Sequence, residues 1–560
     1  MVAFGARMQI AVIPYLLIAW VITFILLVAF NRIKSDYPIY IFGIALSLLW
    51  QTSLLGQGVV GADIQMEYYV ASIAMNQGIE IARTYQYGAS AVITILAPFL
   101  STELDLDLIW IFKIIFPMFL AAVPVIMYFV YKKLMDSKKA LWAGLFFIIV
   151  PVMSLEIIGI GKAMVAEVFM ALFALVIVSD MKQWHKAALI PLLVLLTMVC
   201  HYSVGLVLWM FLLGCFLFSA FIKLIKKDWF ASKVSLWGLG LALLITTGAG
   251  YVYLNNVDGG SIINSVKGIL VHTASNVTEI TETSSPSIVI SSQSPLVQTG
   301  IGLDFLEAGI GGKLFRVVQY LTQILIVVGL FQLWRKRKEY NFTLEFVGLV
   351  LGGFAVLFAC IVLPYFSNIL NMTRFYHLSL FFLSPLFILG CTMVKRTWFA
   401  PAILIVYFIF TSGLVYETTK STVYERIDTP YSYALSYERT GVTGVYNQDD
   451  INCAKWLAYE SEKLPVVTDM NTLRLMFNFI DHYPRLFYID QYYRQYEITS
   501  PISGRYYIFL DTWNIEHETL VYNFDVSYPA GLRRTIELPD YDLPVAYQSG
   551  KAVVLIGDGN

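Results

Sequence analysis

The amino-acid sequence predicts a polytopic α-helical membrane protein that ends in a C-terminal α/β or α+β soluble domain. Three observations carry that expectation. Of 560 residues, 58% are hydrophobic and only 14% charged, whereas a soluble domain is close to half apolar with about a quarter of its residues charged. The apolar excess is gathered into runs near the length, roughly 20 residues, that crosses a bilayer. Beyond about Tyr416 the apolar runs shorten to strand length and polar residues return. A net charge of −1 leaves no domain-wide basic surface, which argues against nucleic acid as a partner.

Hydropathy places about twelve spans, near 8–30, 38–56, 107–131, 140–155, 163–180, 187–201, 203–222, 235–254, 314–333, 342–363, 375–394 and 398–415. The first run, Met8 to Phe30, is longer than a signal-peptide core and is followed by no small-residue cleavage pattern, so it reads as a retained span. Lysine and arginine fall in alternate loops: Arg32/Lys34, Lys132/Lys133/Lys138/Lys139, Lys182/Lys186, Lys223/Lys226/Lys227/Lys233, Arg335/Lys336/Arg337/Lys338 and Lys395/Arg396. The positive-inside rule makes those six loops cytoplasmic. Residues 1–415 then form a multi-pass domain of the plasma membrane, with outer loops at 57–106 and 255–313, and 416–560 form an extracytoplasmic soluble domain.

Ala89 to Leu100 is apolar but too short to cross alone, and reads as a re-entrant or surface-lying stretch packed against protein. The 255–313 loop is rich in Ser, Thr and Gly, a composition expected to be mobile. It holds the sequon Asn276-Val277-Thr278 and closes with Asp304 and Glu307. In the soluble part, Gln448 to Leu457 suggests a helix, and Leu464 to Asp469, Arg505 to Leu510 and Lys551 to Ile556 suggest strands. Neither a Gly-rich phosphate loop nor a nucleophile elbow is present there. Cys200, Cys215, Cys360 and Cys391 lie in apolar runs and Cys453 in the polar part, a spacing that builds no disulfide framework or zinc pattern.

Chemistry concentrates where charge meets apolar sequence. Gly61 to Tyr69 carries Asp63 and Glu67, four residues apart on what reads as one face of a short helix. Asp63 could simply cap that helix, but a reciprocal capping box puts its acid three residues after the cap, so it does not account for the pair. The acids suit other roles. One could be a general base toward an acceptor hydroxyl, Glu67 could raise the pKa of its partner, or the two could hold a divalent cation such as Mg2+ or Mn2+.

Lys162 and Glu167, preceded by Glu156, open the span near 163–180. Charges there are costly and face a cavity or a partner. They could pair with each other or snorkel to the headgroups, or Lys162 could hold a phosphate as a point charge with Glu167 as a further substrate contact. His201 lies between two apolar runs, either structural or hydrogen-bonded to a phosphate or sugar. Arg374 is one of few outward arginines, and its guanidinium suits bidentate phosphate recognition. Arg83 is a weaker instance, and for both the plain alternative is anchoring to lipid headgroups. The topology puts Asp63, Glu67, Arg83, Lys162, His201 and Arg374 on one membrane face, which suits a membrane-lipid phosphate with its head group outside.

As a set, GADIQMEYY, GKAMVAEVFMAL, CHYSVG, NMTRFYH and YYIFLDTWN resemble a family of archaeal multi-pass membrane proteins along nearly the whole chain. The order of acidic outer loop, many spans and extracytoplasmic domain resembles the type-C (GT-C) membrane glycosyltransferase superfamily. That resemblance implies a GT-C-like fold and a polyprenyl-phosphate-linked sugar as donor, with a glycan, lipid or protein acceptor outside the cell. The superfamily's first-loop acid would match Asp63, as base or acceptor-orienting group, with Glu67 the second candidate. Its donor-phosphate residue would match Arg374 or Lys162. The superfamily usually places the acidic loop after the first span, whereas here it follows the second. The expectation is therefore a membrane glycosyltransferase of the cell envelope. A transporter or flippase of a lipid-linked or polar solute would instead place charges deep in symmetric halves, and a non-catalytic assembly protein would not need Asp63.

Overall fold

Each of the twelve apolar runs becomes a helix in the computed structural model of the chain, which describes residues 12–61, 63–256, 267–268, 305–306, 308–363, 366–420, 430–435, 445–482, 486–488, 504–525, 532–538 and 541–559. The sequon at Asn276, Asp304, Glu307 and nearly all of the 255–313 loop lie outside the described residues. The helices are α1 (Val12–Ala29), α2 (Tyr37–Ser53), α3 (Asp63–Asn76), α4 (Leu108–Leu134), α5 (Ser137–Ile149), α6 (Gly161–Val178), α7 (Gln183–Cys200), α8 (Tyr202–Leu224), α9 (Leu236–Asn256), α10 (Ile310–Arg335), α11 (Leu344–Val362), α12 (Met372–Cys391) and α13 (Phe399–Thr411). Among the described residues nine helices are long and apolar enough to cross a membrane, and ten if α5 and its continuation Pro151–Gly159 count as one span. Pro151 marks that break, where the axis bends by 47°, because proline withdraws a backbone donor and crowds the preceding turn. The remaining two expected spans are α2 and α13, at 17 and 13 residues. Val92–Glu103 is a short apolar helix, in keeping with its length.

Two spans are enclosed far more than the rest, α6 at 78% and α12 at 83% of their apolar windows, against 28% for α9. These enclosed helices carry Lys162, Glu167, Arg374 and His377. Burial of a charge is tolerated only beside a partner, and the two helices are joined by the pair of Glu167 and His377.

At one end of the bundle the buried charged groups Glu345 and Lys186 are matched by hydrogen bonds. Glu345, in the first turn of α11, accepts from Ser232 Oγ at 2.7 Å and from the backbone N–H groups of Lys233 and Val234 at 3.0 Å each. Lys186 donates to the carbonyls of Ile177 and Lys233, both at 3.0 Å. Lys133 and Lys233 pair with Asp180 on the exposed rim. This is the end that bears the basic loops.

The C-terminal part adds α14 (Gln448–Tyr459), α15 (Met470–Met476) and α16 (Thr512–His517) to strands β1 (Val466–Thr468), β2 (Leu486–Tyr488), β3 (Gly504–Leu510), β4 (Thr519–Asp525), β5 (Leu532–Glu537), β6 (Val545–Ser549) and β7 (Ala552–Gly559). Five of these form a mixed sheet in the order β2-β1-β3-β7-β6, with β1 parallel to β2 and β3 and the rest antiparallel; β4 and β5 pair separately. Alternation decides the two faces. Val466, Tyr507, Phe509 and Val554 pack under α14, while Val467, Ile508, Leu510 and Leu555 face the other way. Asp469 and Asp511 follow β1 and β3 directly and cap α15 and α16, each within a capping box. Asp450 completes a third box at the start of α14 and accepts from the Thr512 N–H at 2.8 Å, drawing the three acids together. Burial raises all three carboxyls, Asp511 well above its ordinary value, and the neighbouring acids Asp450 and Asp469 push Asp511 further.

Candidate functional site

The acidic loop is braced before it carries its acids. Lys113 lies in a π-helical turn of α4, Ile111–Ile115, and its buried ammonium donates to the carbonyls of Leu55, Gly56 and Gly58 at 3.0, 3.2 and 2.6 Å. Ser53 Oγ closes the contact on the Lys113 carbonyl at 2.8 Å. The Gln65 amide holds the Val59 carbonyl at 2.7 Å. From the sheet domain, the Tyr446 carbonyl accepts the Gln57 N–H at 3.0 Å and the Asn478 amide donates to Gln65 Oε1. Gly61, at φ 131°, sits so close to Gly159 that an added Cβ would lie 2.6 Å from the Gly159 Cα. Only glycine allows this crossing, and it sets the start of α3 beside the start of α6.

Asp63 and Glu67 then differ sharply. Asp63 is the first residue of α3, partly exposed, and among the described residues its side chain has no hydrogen bond or ion pair. Glu67 is fully buried. Its Oε1 lies 3.0 Å from Lys162 Nζ, and its Oε2 accepts the Lys162 backbone N–H at 3.4 Å. An added Cβ on Gly161 would lie 3.0 Å from that Oε2, so the bare helix start admits the carboxylate. Burial raises the Glu67 carboxyl, Lys162 draws it back down, and the nearby charge of Asp63 raises it again. The Lys162 contact is electrostatic rather than an aligned hydrogen bond, since neither Glu67 Oε1 nor Lys162 Nζ completes one.

Tyr87 covers the other side of Lys162, with Nζ 3.1 Å from its ring centroid. Its backbone is left-handed, at φ 69°, a conformation that costs a large side chain energy and gathers at functional sites. Burial raises the Tyr87 hydroxyl, and the charges of Asp63 and Glu67 add to that while Arg374 opposes it. Tyr87 thus lies within electrostatic reach of both acids and of Arg374. His201 is likewise within reach of Lys162 and Arg374. Lys162 also lines a small recess with Tyr87, Ser90, Cys200, Tyr202 and Tyr253.

Arg374 lies in the first turn of α12, after Asn371 at φ 76°. Its Nε is 3.7 Å from Glu156 Oε2, which also accepts from Thr373 Oγ1 at 2.8 Å. Further along α12, His377 Nε2 meets Glu167 Oε2 of α6 at 3.0 Å, both fully buried. Five of the seven residues predicted from the sequence therefore gather at one end of the bundle: Asp63, Glu67, Lys162, His201 and Arg374. Glu167 lies one turn further into α6, its Oε2 held by His377 while its Oε1 completes no hydrogen bond. Arg83 is exposed and paired at 3.3 Å with the exposed Glu80, away from the group. Tyr87, Glu156 and Lys113 complete the surroundings. Of these Glu156 was visible beside Lys162 in the sequence and Lys113 as a lone cation within an apolar run, whereas Tyr87 left no signal.

Four buried side-chain atoms in this group complete no hydrogen bond: Glu67 Oε1, Lys162 Nζ, His201 Nδ1 and Arg374 Nε. Buried polar atoms are normally satisfied, so such a concentration is what a polar ligand would complete.

Residues 186–541 match the family described as "Predicted membrane protein (DUF2206)". The chain belongs to that family. His201 and Arg374 fall within the matched residues, whereas Asp63, Glu67 and Lys162 precede them. A search of curated proteins gives no match. Among solved structures the chain is similar to the crystal structure of the Archaeoglobus fulgidus oligosaccharyltransferase tethered to an acceptor peptide containing the NVT sequon. That likeness has 11% identity and a TM-score of 0.47, and covers 91% of this chain and 75% of that one.

Proposed function

We propose that the protein is a membrane glycosyltransferase that moves a sugar from a polyprenyl-phosphate-linked donor to an acceptor outside the cytoplasm. The observation that carries this reading is the gathering around Tyr87 of one free carboxylate, Asp63, and the cations of Lys162 and Arg374, among buried polar atoms that lack partners. The motif resemblance to the GT-C superfamily agrees with it.

In this reading Asp63 takes the proton of an acceptor hydroxyl as its oxygen forms a bond to the anomeric carbon. The bond from that carbon to the lipid phosphate breaks, and the phosphate leaves with the electron pair. Lys162 and Arg374 meet the developing charge, being positioned before the reaction starts. Both cations already hold a carboxylate, Glu67 and Glu156, so each has a defined position from which to share its charge. His201 supplies a hydrogen bond to the phosphate or sugar through its unpartnered Nδ1. The sheet domain lies outside the membrane and helps to hold a glycan, lipid or protein acceptor against the loop it contacts at Tyr446 and Asn478.

The test is transfer by purified full-length protein from lipid-linked sugars, comparing wild type with Asp63→Asn. The variant is expected to fold normally and to lose transfer. Full activity in it would remove Asp63 from the chemistry, and absence of transfer by wild type from any lipid-linked sugar tried would count against the reaction class.

A further inference from the structure

Two carboxylates four residues apart on one helix face suggest a divalent cation, and the donor set answers that suggestion. We propose that Lys162 is the resident cation at Glu67 of this acid pair, its ammonium holding the carboxylate that Mg2+ or Mn2+ would need beside Asp63, so that the site takes no divalent metal of its own.

The Glu67 carboxylate is already met on both oxygens. Lys162 Nζ lies 3.0 Å from one oxygen, and the Lys162 N–H lies 3.4 Å from the other. Both sit at the start of α6, an 18-residue helix whose N-terminal dipole favours an anion. The ammonium in turn is held on its far side by the Tyr87 ring at 3.1 Å. With Lys162 and Glu67 at 3% and 0% exposure, a metal ion could reach Glu67 only by expelling a buried ammonium from between a carboxylate and an aromatic face. Divalent hard cations also need more oxygen ligands than one free carboxylate gives, six for Mg2+ and six to eight for Ca2+. Among the described residues no third Asp, Glu, His or Cys joins the two acids in a cluster of metal-binding type. A single positive charge against Glu67 makes that pair neutral and leaves Asp63 as the free negative group.

The inference does not depend on glycosyl transfer, and a binding measurement tests it on the full-length protein in detergent. Mn2+ is titrated and its free electron paramagnetic resonance signal followed. Wild type is expected to take up no stoichiometric Mn2+ below roughly millimolar concentration. Lys162→Met removes the ammonium and keeps an apolar stem; it is expected to gain one Mn2+ site at least about tenfold tighter than any in wild type. Adding Glu67→Gln should abolish that gained site. One tight Mn2+ in wild type that is lost in Glu67→Gln or Asp63→Asn would overturn the proposal, and this measurement decides even if Lys162→Met does not fold. A folded Lys162→Met that gains no Mn2+ would overturn it as well, because Lys162 would then not stand in a cation's place.

Discussion

The two ends of the helical bundle treat buried charge in opposite ways. At the basic-loop end Glu345 takes three donors and Lys186 two carbonyl acceptors, and neither leaves a buried atom unmatched. At the other end Lys162, Glu67, Arg374 and His201 pair loosely or off-line, and each leaves an atom without a hydrogen bond. The first pattern is what a joint between helices needs, since full satisfaction makes a polar network rigid. The second has no such use. Its incomplete bonds are ones that the proposed substrate would complete.

If that contrast is right, a substitution at each end should strike a different property. Asp63→Asn is expected to lower sugar transfer by roughly 10²–10⁴-fold, the scale of a lost general base, while thermal melting of the protein hardly moves. Glu345→Ala should do the reverse. Three donors lose a buried acceptor, at a cost of about 2–4 kcal/mol, and turnover per folded molecule stays at the wild-type value. Equal loss of both properties in both variants would erase the distinction. Arg374→Lys keeps the charge but not the planar fork, and should weaken apparent donor affinity roughly tenfold, about one charge-assisted hydrogen bond; an unchanged donor KM would detach Arg374 from the phosphate.

The sheet domain sharpens the comparison, because its acids are well bonded yet unfavourably charged. The folded values of Asp450, Asp469 and Asp511 are raised above the ordinary 3.8, by burial first. Between that ordinary value and the raised ones the folded state binds more protons than the unfolded state, so stability falls as pH rises through the window. Melting followed by tryptophan fluorescence should therefore give a higher midpoint near about pH 5 than near about pH 7.5, with a flatter profile in Asp511→Asn. A midpoint that rises toward alkaline pH would contradict the assignment. At the small end, Lys133→Ala breaks an exposed pair with Asp180 at 3.2 Å and should leave the melting midpoint unchanged within error, as exposed ion pairs contribute little.

What could be read in the sequence follows from how local each signal is. Helices were legible because an apolar run of sufficient length can do little else in this chain. Asp63, Lys162, His201 and Arg374 stood out because charge beside an apolar run is costly and asks for a reason. The same logic misplaced Arg83, whose exposed partner Glu80 lies within one turn and gives it a surface role. The partner of Glu167, His377, could not be read in the sequence because it comes from a helix 210 residues away. Tyr87 was illegible for another reason: a left-handed backbone at a large residue is imposed by its surroundings, and no neighbouring residue announces it. Lys113 was open to view within Ile111–Ile115, but what it grips is set by three carbonyls more than fifty positions earlier.

That grip gives the acidic loop a mechanical character. Leu55 to Gly58 and Gln65 are held at both sides like a beam, on the bundle by Lys113 and on the sheet domain by Tyr446 and Asn478. Displacing either support loads the short span that ends in Asp63. The stiffness felt by the acid is thus shared between the two parts of the molecule, and a tug on the sheet domain is transmitted to a single carboxylate at the mouth of the bundle.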